Sequence, residues 1–117
     1  MPNAFKLKTF AGGSTNANTD MTIYTGKSST ETTIIGMSIA NITSSQILVD
    51  VKIESDTSDT ETNANVFLIK DAPIPVGGTL VPVGGDQKIV LQATDVLKVQ
   101  SDTANSADTV LSVLEIT

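Results

Sequence analysis

Three stretches of this sequence carry residue types that could do chemistry. ESDTSDTETNAN, residues 54–65, gathers Glu54, Asp56, Asp59 and Glu61 in one polar run. A calcium loop of the EF-hand kind needs oxygen ligands at its first, third and fifth positions, glycine at the sixth and glutamate at the twelfth. Counted from Asp56, the sixth residue is Glu61, and Thr, Ser and Asn fill most other places, so a solvated hairpin loop is the favoured reading. PIPVGGTLVPVGGDQKIVLQ, residues 73–92, repeats Pro-Val-Gly-Gly at Pro75 to Gly78 and at Pro82 to Gly85. A phosphate-binding loop sets its glycines between a strand and a helix, followed by Lys and Ser or Thr. Here Thr79-Leu80-Val81 and Asp86-Gln87-Lys88 follow, and both lead into further strand-like sequence. Proline presets φ at a corner and glycine supplies positive φ beside it, so these are turns. Third, Asn41-Ile42-Thr43 matches a glycosylation acceptor, which means little without a secretory signal.

Composition narrows the chemistry further. There is no His and no Cys, which excludes disulfides, thiolate zinc sites and imidazole catalysis. All of the basic residues are Lys, so no guanidinium fork is available for carboxylate or phosphate. Ser and Thr hydroxyls are plentiful, but no base motif accompanies them. No catalytic residue, metal ligand or cofactor site is therefore assigned. The net charge of -6 argues against nucleic acid, whose phosphates demand a basic surface. No apolar run approaches the ~20 residues of a membrane-spanning helix, and MPNAFK lacks the apolar stretch of a secretory leader. The expectation is a soluble acidic protein made in a cytoplasm.

The elements that would position any site read as strands. QILVDVKIE alternates Ile47, Val49, Val51 and Ile53 with mostly polar residues, one buried face against one wet face. TTIIGMSIANI repeats the period with Ile35, Met37 and Ile39 facing inward and Gly36 on the other side. MTIYT (Met21, Ile23), NVFLIK (Phe67 and Ile69, or Val66 and Leu68), QKIVLQ (Ile89, Leu91), DVLKVQS (Leu97, Val99) and DTVLSVLEIT (Val110, Leu114, Ile116) follow. With FKLKTF (Phe5, Leu7) and TLV these make eight or nine strands, separated by polar turn segments. Asp95, just ahead of one strand, is read as a turn cap that bonds nearby backbone N–H groups. The predicted fold is a single all-β antiparallel sandwich, jelly-roll-like, over residues 21–117.

Residues 1–20 stand apart, and two readings of them remain open. FKLKTF, with Phe5, Leu7 and Phe10, is either the first strand of the sandwich followed by a linker, or an arm that docks on a neighbouring subunit or a host surface by adding a strand. Phe5, Leu7 and Phe10 are the candidate partner-contact residues.

From residue 66 onward the sequence resembles a known group. VFLIKDAPIPVGGTLVPVGGDQKIVLQATDVLKVQSDTANSADTVLSVLEIT is similar to small β-sandwich structural proteins in the virions of tailed bacteriophages, notably marine and cyanobacterial ones. The matching parts are LIKDAPIP ahead of a glycine turn, KIVLQATDVLKVQS, and the closing SVLEIT. TIYTGKSSTETTIIGMSIANIT resembles the first half of the pattern, with Thr25-Gly26-Lys27-Ser28-Ser29 in place of the usual proline-containing turn. The resemblance covers about Met21 to Thr117 and rests on turn and core positions. It implies a non-enzymatic virion component: a capsid decoration (cement) protein, or alternatively a neck or tail accessory protein or a fibre-associated receptor-binding module. It further implies the major capsid protein or other virion proteins as partners, a homotrimer at threefold capsid positions, and assembly in the host cytoplasm.

Overall fold

The computed structural model describes residues 3–12, 16–55, 63–84 and 87–117. Among these, the β-branched stretches form nine strands and no helix: β1 (Ala4–Phe10), β2 (Met21–Thr25), β3 (Glu31–Asn41), β4 (Ile47–Glu54), β5 (Val66–Ile74), β6 (Thr79–Val83), β7 (Ile89–Leu91), β8 (Val96–Ser101) and β9 (Ala107–Ile116). The calcium-loop candidates Asp56, Asp59 and Glu61 lie outside the described residues, as do Gly85 and Asp86 of the second Pro-Val-Gly-Gly.

All pairings are antiparallel and nested. β4 pairs with β5, β3 with β6 and β7, β2 with β8, and β1 with β9, so the chain is one long ribbon doubled back between β4 and β5. Rolling that ribbon sets β9 beside β3 and β8 beside β4. The result is two facing sheets, sheet I in the order β1-β9-β3-β6 with β7 also on β3, and sheet II in the order β2-β8-β4-β5. Two interlocked Greek keys of this kind make a jelly roll, and the sandwich expected from the sequence is the fold.

The inner faces meet in an aliphatic core. Ile34, Met37, Ile39, Leu111 and Val113 of sheet I pack against Ile23, Ile47, Val49, Val51, Leu97 and Val99 of sheet II, all buried. Each fully buried Ile, Leu or Val contributes about 1.5–3 kcal/mol. The period read on β2, β4 and β8 puts the correct residues inside. Three strands depart from it. In β9, Leu111 and Val113 are buried while Val110 and Ile116 are exposed, the opposite phase from the one expected. In β3, a bulge between Ile34 and Gly36 sends Ile34 into the core and leaves Ile35 half-buried. In β5, two shifts of register leave Leu68 and Ile69 only partly buried.

FKLKTF is β1, a strand of the sandwich rather than an arm clear of it, with seven residues in register from Ala4 opposite Glu115 to Phe10 opposite Thr109. Gly12 fixes the chain leaving it. A Cβ there would stand 2.0 Å from the Ala107 carbonyl oxygen, and the Gly12 N–H donates to Asp108 Oδ1 at 2.7 Å. The first Pro-Val-Gly-Gly is a turn, with Gly77 at φ 74° and the Gly78 N–H donating to the Pro75 carbonyl at 2.9 Å. Asp95 caps its turn by accepting from the Gln92 N–H at 2.9 Å and the Ser55 hydroxyl at 2.6 Å.

Asn41, the asparagine of the glycosylation motif, is buried and acts as an internal bracket. Its amide donates to the carbonyls of Ser45 at 2.8 Å and Ile74 at 2.9 Å, and its oxygen accepts from the Thr43 N–H at 2.8 Å. Asn41→Ala strands the buried Ile74 carbonyl and removes the bonds to the Ser45 carbonyl and the Thr43 N–H, and is expected to lower unfolding stability by about 2–4 kcal/mol in denaturant titration. Thr109 is the opposite case, because its buried Oγ1 has no hydrogen-bond partner. Thr109→Val keeps the shape, removes the stranded hydroxyl, and is expected to raise stability by about 1 kcal/mol in the same titration.

Candidate protein-docking surface

The two outer faces of the sandwich differ in chemistry. Sheet II presents ions. Lys52 lies 2.8 Å from Asp20 and 3.1 Å from Glu54, and Lys98 lies 2.9 Å from Glu54. Lys52 and Lys98 are directly opposite across β4 and β8, a repulsive placement that Glu54 resolves by bridging both. Further along, buried Asp50 accepts from the Asp71 N–H at 2.7 Å and from Lys70 at 3.2 Å. Asp71 sits at φ 53° in the β5 bulge, so Asp50 holds that irregularity in place. Lys70 also lies 4.9 Å above the Phe67 ring.

Sheet I presents almost none. Its registers build cross-strand rows on the outer side: Phe5, Leu114, Thr33 and Val90 in one; Leu7, Ser112 and Gly36 in the next; Thr9, Val110 and Ser38 in the third. No charged side chain stands in these rows; Glu31 and Asp108 come only at the two ends. Phe5, Leu7, Val81, Val90, Val110 and Ile116 are 77, 69, 61, 56, 42 and 36% exposed. With ~150–200 Å² for a fully exposed large apolar side chain, these six offer roughly 600 Å², the upper end of what a soluble monomer leaves bare. A shallow groove of about 370 Å³ crosses the face over Gly36, between Val81 and Val110.

Of the three residues singled out from the sequence, Phe5 and Leu7 belong to this face. Phe10 does not: it is half-buried and packs against the core. Val81, Val90, Val110 and Leu114 complete the face; Val90 follows from inward Ile89 and Leu91, whereas Val110 and Leu114 were expected inside. The available signal was in DTVLSVLEIT, where both phases of the strand are apolar and only one can fill the core.

The sheet edges are blunted. Lys6 and Lys8 of β1 pair with Val113 and Leu111 and so lie on its inner side, an inward charge that discourages a further strand from adding. The edge strands β5 and β6 carry Pro73 and Pro82, which cannot donate to a new neighbour.

Glu115 is the most perturbed titratable group among the described residues for which a shift is resolved. Its carboxylate, at the end of the core, accepts from the Tyr24 hydroxyl at 2.5 Å and pairs with Lys27 at 3.1 Å and Lys6 at 3.2 Å. The Tyr24 hydrogen bond, then Lys27 and Lys6, hold its pKa down to about 2 from the usual 4.5, against the opposing cost of burial. Burial and the neighbouring carboxylate push the Tyr24 hydroxyl up. Every polar atom of this group is engaged in joining β1, β2 and β9, which is a structural role. Among the described residues, no three carboxylates gather as a metal site. No family model matches the chain, and comparisons with curated proteins and with solved structures return no match.

Because the folded carboxyl titrates below its unfolded value, the stability it contributes is complete above pH 4.5 and is lost as the pH falls toward about 2. Glu115→Gln is expected to cost about 1–3 kcal/mol at pH 7. In melting curves recorded across pH, the gap between the two proteins should narrow below 4.5 and close near 2. A gap that stays constant across that window would show that charge is not what Glu115 supplies.

Proposed function

We propose that this chain is a non-enzymatic structural protein of tailed-phage virions, most simply a decoration protein that binds and stabilises the capsid. The observation that carries the reading is the uncharged outer face of sheet I, a surface suited to being covered by protein, on a molecule whose other face is dressed in ion pairs. The sequence resemblance of residues 66–117 supplies the setting. The jelly roll suits that setting without specifying it, since one fold serves many roles.

The fibre alternative is weaker on chemistry. Sugar rings are gripped by clustered exposed aromatic platforms, whereas Tyr24 is buried against Thr32 and Glu115 and the exposed Phe5 and Phe67 lie on different sheets. Phe67 is overlain by Lys70.

An antibody raised against the purified protein, gold-labelled and applied to tailed-phage particles that carry the gene, is expected to decorate heads. Label on the neck or tail would overturn decoration while keeping a virion role. Label on no particle would overturn both.

A further inference from the structure

We infer that the outer face of sheet I is a self-association surface, covered by the same face of a second copy in a twofold, sheet-on-sheet dimer. The inference rests on reading this face as a protein-docking surface, but not on the virion setting.

Three observations single out a second copy. The first is electrostatic. Each chain carries a net charge of -6, so two copies repel unless they meet where charge is absent. The rows through Phe5, Leu7, Val110 and Val81 are that place, with Glu31 and Asp108 confined to the ends of the central strands. The second is area. Roughly 600 Å² of large apolar side chain per copy, before Thr33, Ser38 and Ser112 are added, brings a paired interface to about 1,200 Å² or more, the threshold of a specific interface. The third is the number of patches. A head-to-tail ring needs two different complementary surfaces, whereas one continuous patch meets its own copy across a twofold axis. The homotrimer that the family resemblance implies would need a second such surface. Sheet II offers an ion-paired one instead, in which the half-exposed Phe67 is overlain by Lys70.

Geometry favours faces over edges. Inward Lys6 and Lys8, with Pro73 and Pro82, oppose strand addition at three of the sheet margins. The middle of sheet I is low, because Gly36 has no side chain and Ser38 and Ser112 have short ones, while Phe5, Leu7 and Val81 stand at its flanks. Flanking side chains of one copy can therefore settle into the central groove of the other, with the sheets ~10 Å apart as in sandwich interiors.

Sedimentation equilibrium of the intact chain tests this, with a dimer expected and a dissociation constant of about a micromolar. Leu7→Lys and Val81→Glu alter side chains that point outward, so each should leave the circular dichroism unchanged, and the melting unchanged at concentrations well below a micromolar where the chain is monomeric, while weakening the dimer at least ~10-fold. The chain has no cysteine, which allows a direct positional readout. Ser112→Cys, near the proposed axis, should give a disulfide-linked dimer on mild oxidation, and Lys98→Cys on the outer side of sheet II should not. A chain that stays monomeric up to ~1 mM would overturn the inference. So would an oligomer that survives both face substitutions, or a Lys98→Cys cross-link without one at Ser112→Cys. A monomer whose face instead captures another virion protein would also overturn it, while leaving the gold-labelling result intact.

Discussion

Glu115 carries a negative charge at the end of the core whose neutralisation draws on three separate parts of the chain: Lys6 of β1, Tyr24 of β2 and Lys27 just after β2. An unpaired charge there would cost several kcal/mol, so these segments must arrive together. The strand that delivers it, β9, is flanked on both sides, by β1 over seven residues and by β3 over ten paired positions. The same strand lends Leu111 and Val113 to the core and Val110 and Leu114 to the outer face. Since β1 and β9 stand at opposite ends of the sequence, that contact closes the whole ribbon. Pairings this distant in sequence form slowly, because loop closure precedes the contacts that reward it.

Strand period and turn chemistry made the fold legible. Ile47, Val49 and Val51 could only be one face of a sheet, and the first Pro-Val-Gly-Gly breaks one, whereas Pro82 and Val83 of the second still belong to β6. What the period could not decide is which of two apolar phases faces inward. In β9, Val110, Leu114 and Ile116 are as hydrophobic as Leu111 and Val113, and the tie is broken by Thr109, Leu111 and Val113 lining up with Ile39, Met37 and Ile34 across β3. That alignment is a property of pairing rather than of any local stretch. The bulge at Ile35 is hidden for the same reason, since an extra residue in one strand is visible only against its partner. FKLKTF was ambiguous between arm and strand because an edge strand needs only one neighbour and can leave Phe5 and Leu7 outside.

The misread phase and the candidate surface share one physical origin. A strand with both phases apolar is ordinary when both of its faces are covered, as in sheets packed on two sides. In a two-layer jelly roll only one face of each sheet is covered internally. Sheet II follows the usual pattern, with Lys52, Glu54 and Lys98 outward and Val49, Val51 and Val99 inward. Sheet I follows the pattern of a sheet awaiting a third layer, and the groove over Gly36 gives that layer somewhere to seat.

Magnitudes limit what such a layer can be. An interface near 1,200 Å² is at the small end of specific complexes, and association must first overcome several kcal/mol of lost translational and rotational freedom. One isolated contact of this size is therefore reversible at ordinary concentrations. A face that is apolar enough to associate and small enough to let go, bounded by β1 with its inward Lys6 and Lys8 and by β6 with Pro82, suits a closed and reversible pair of copies. An edge-open surface would go on adding strands instead of closing at two copies.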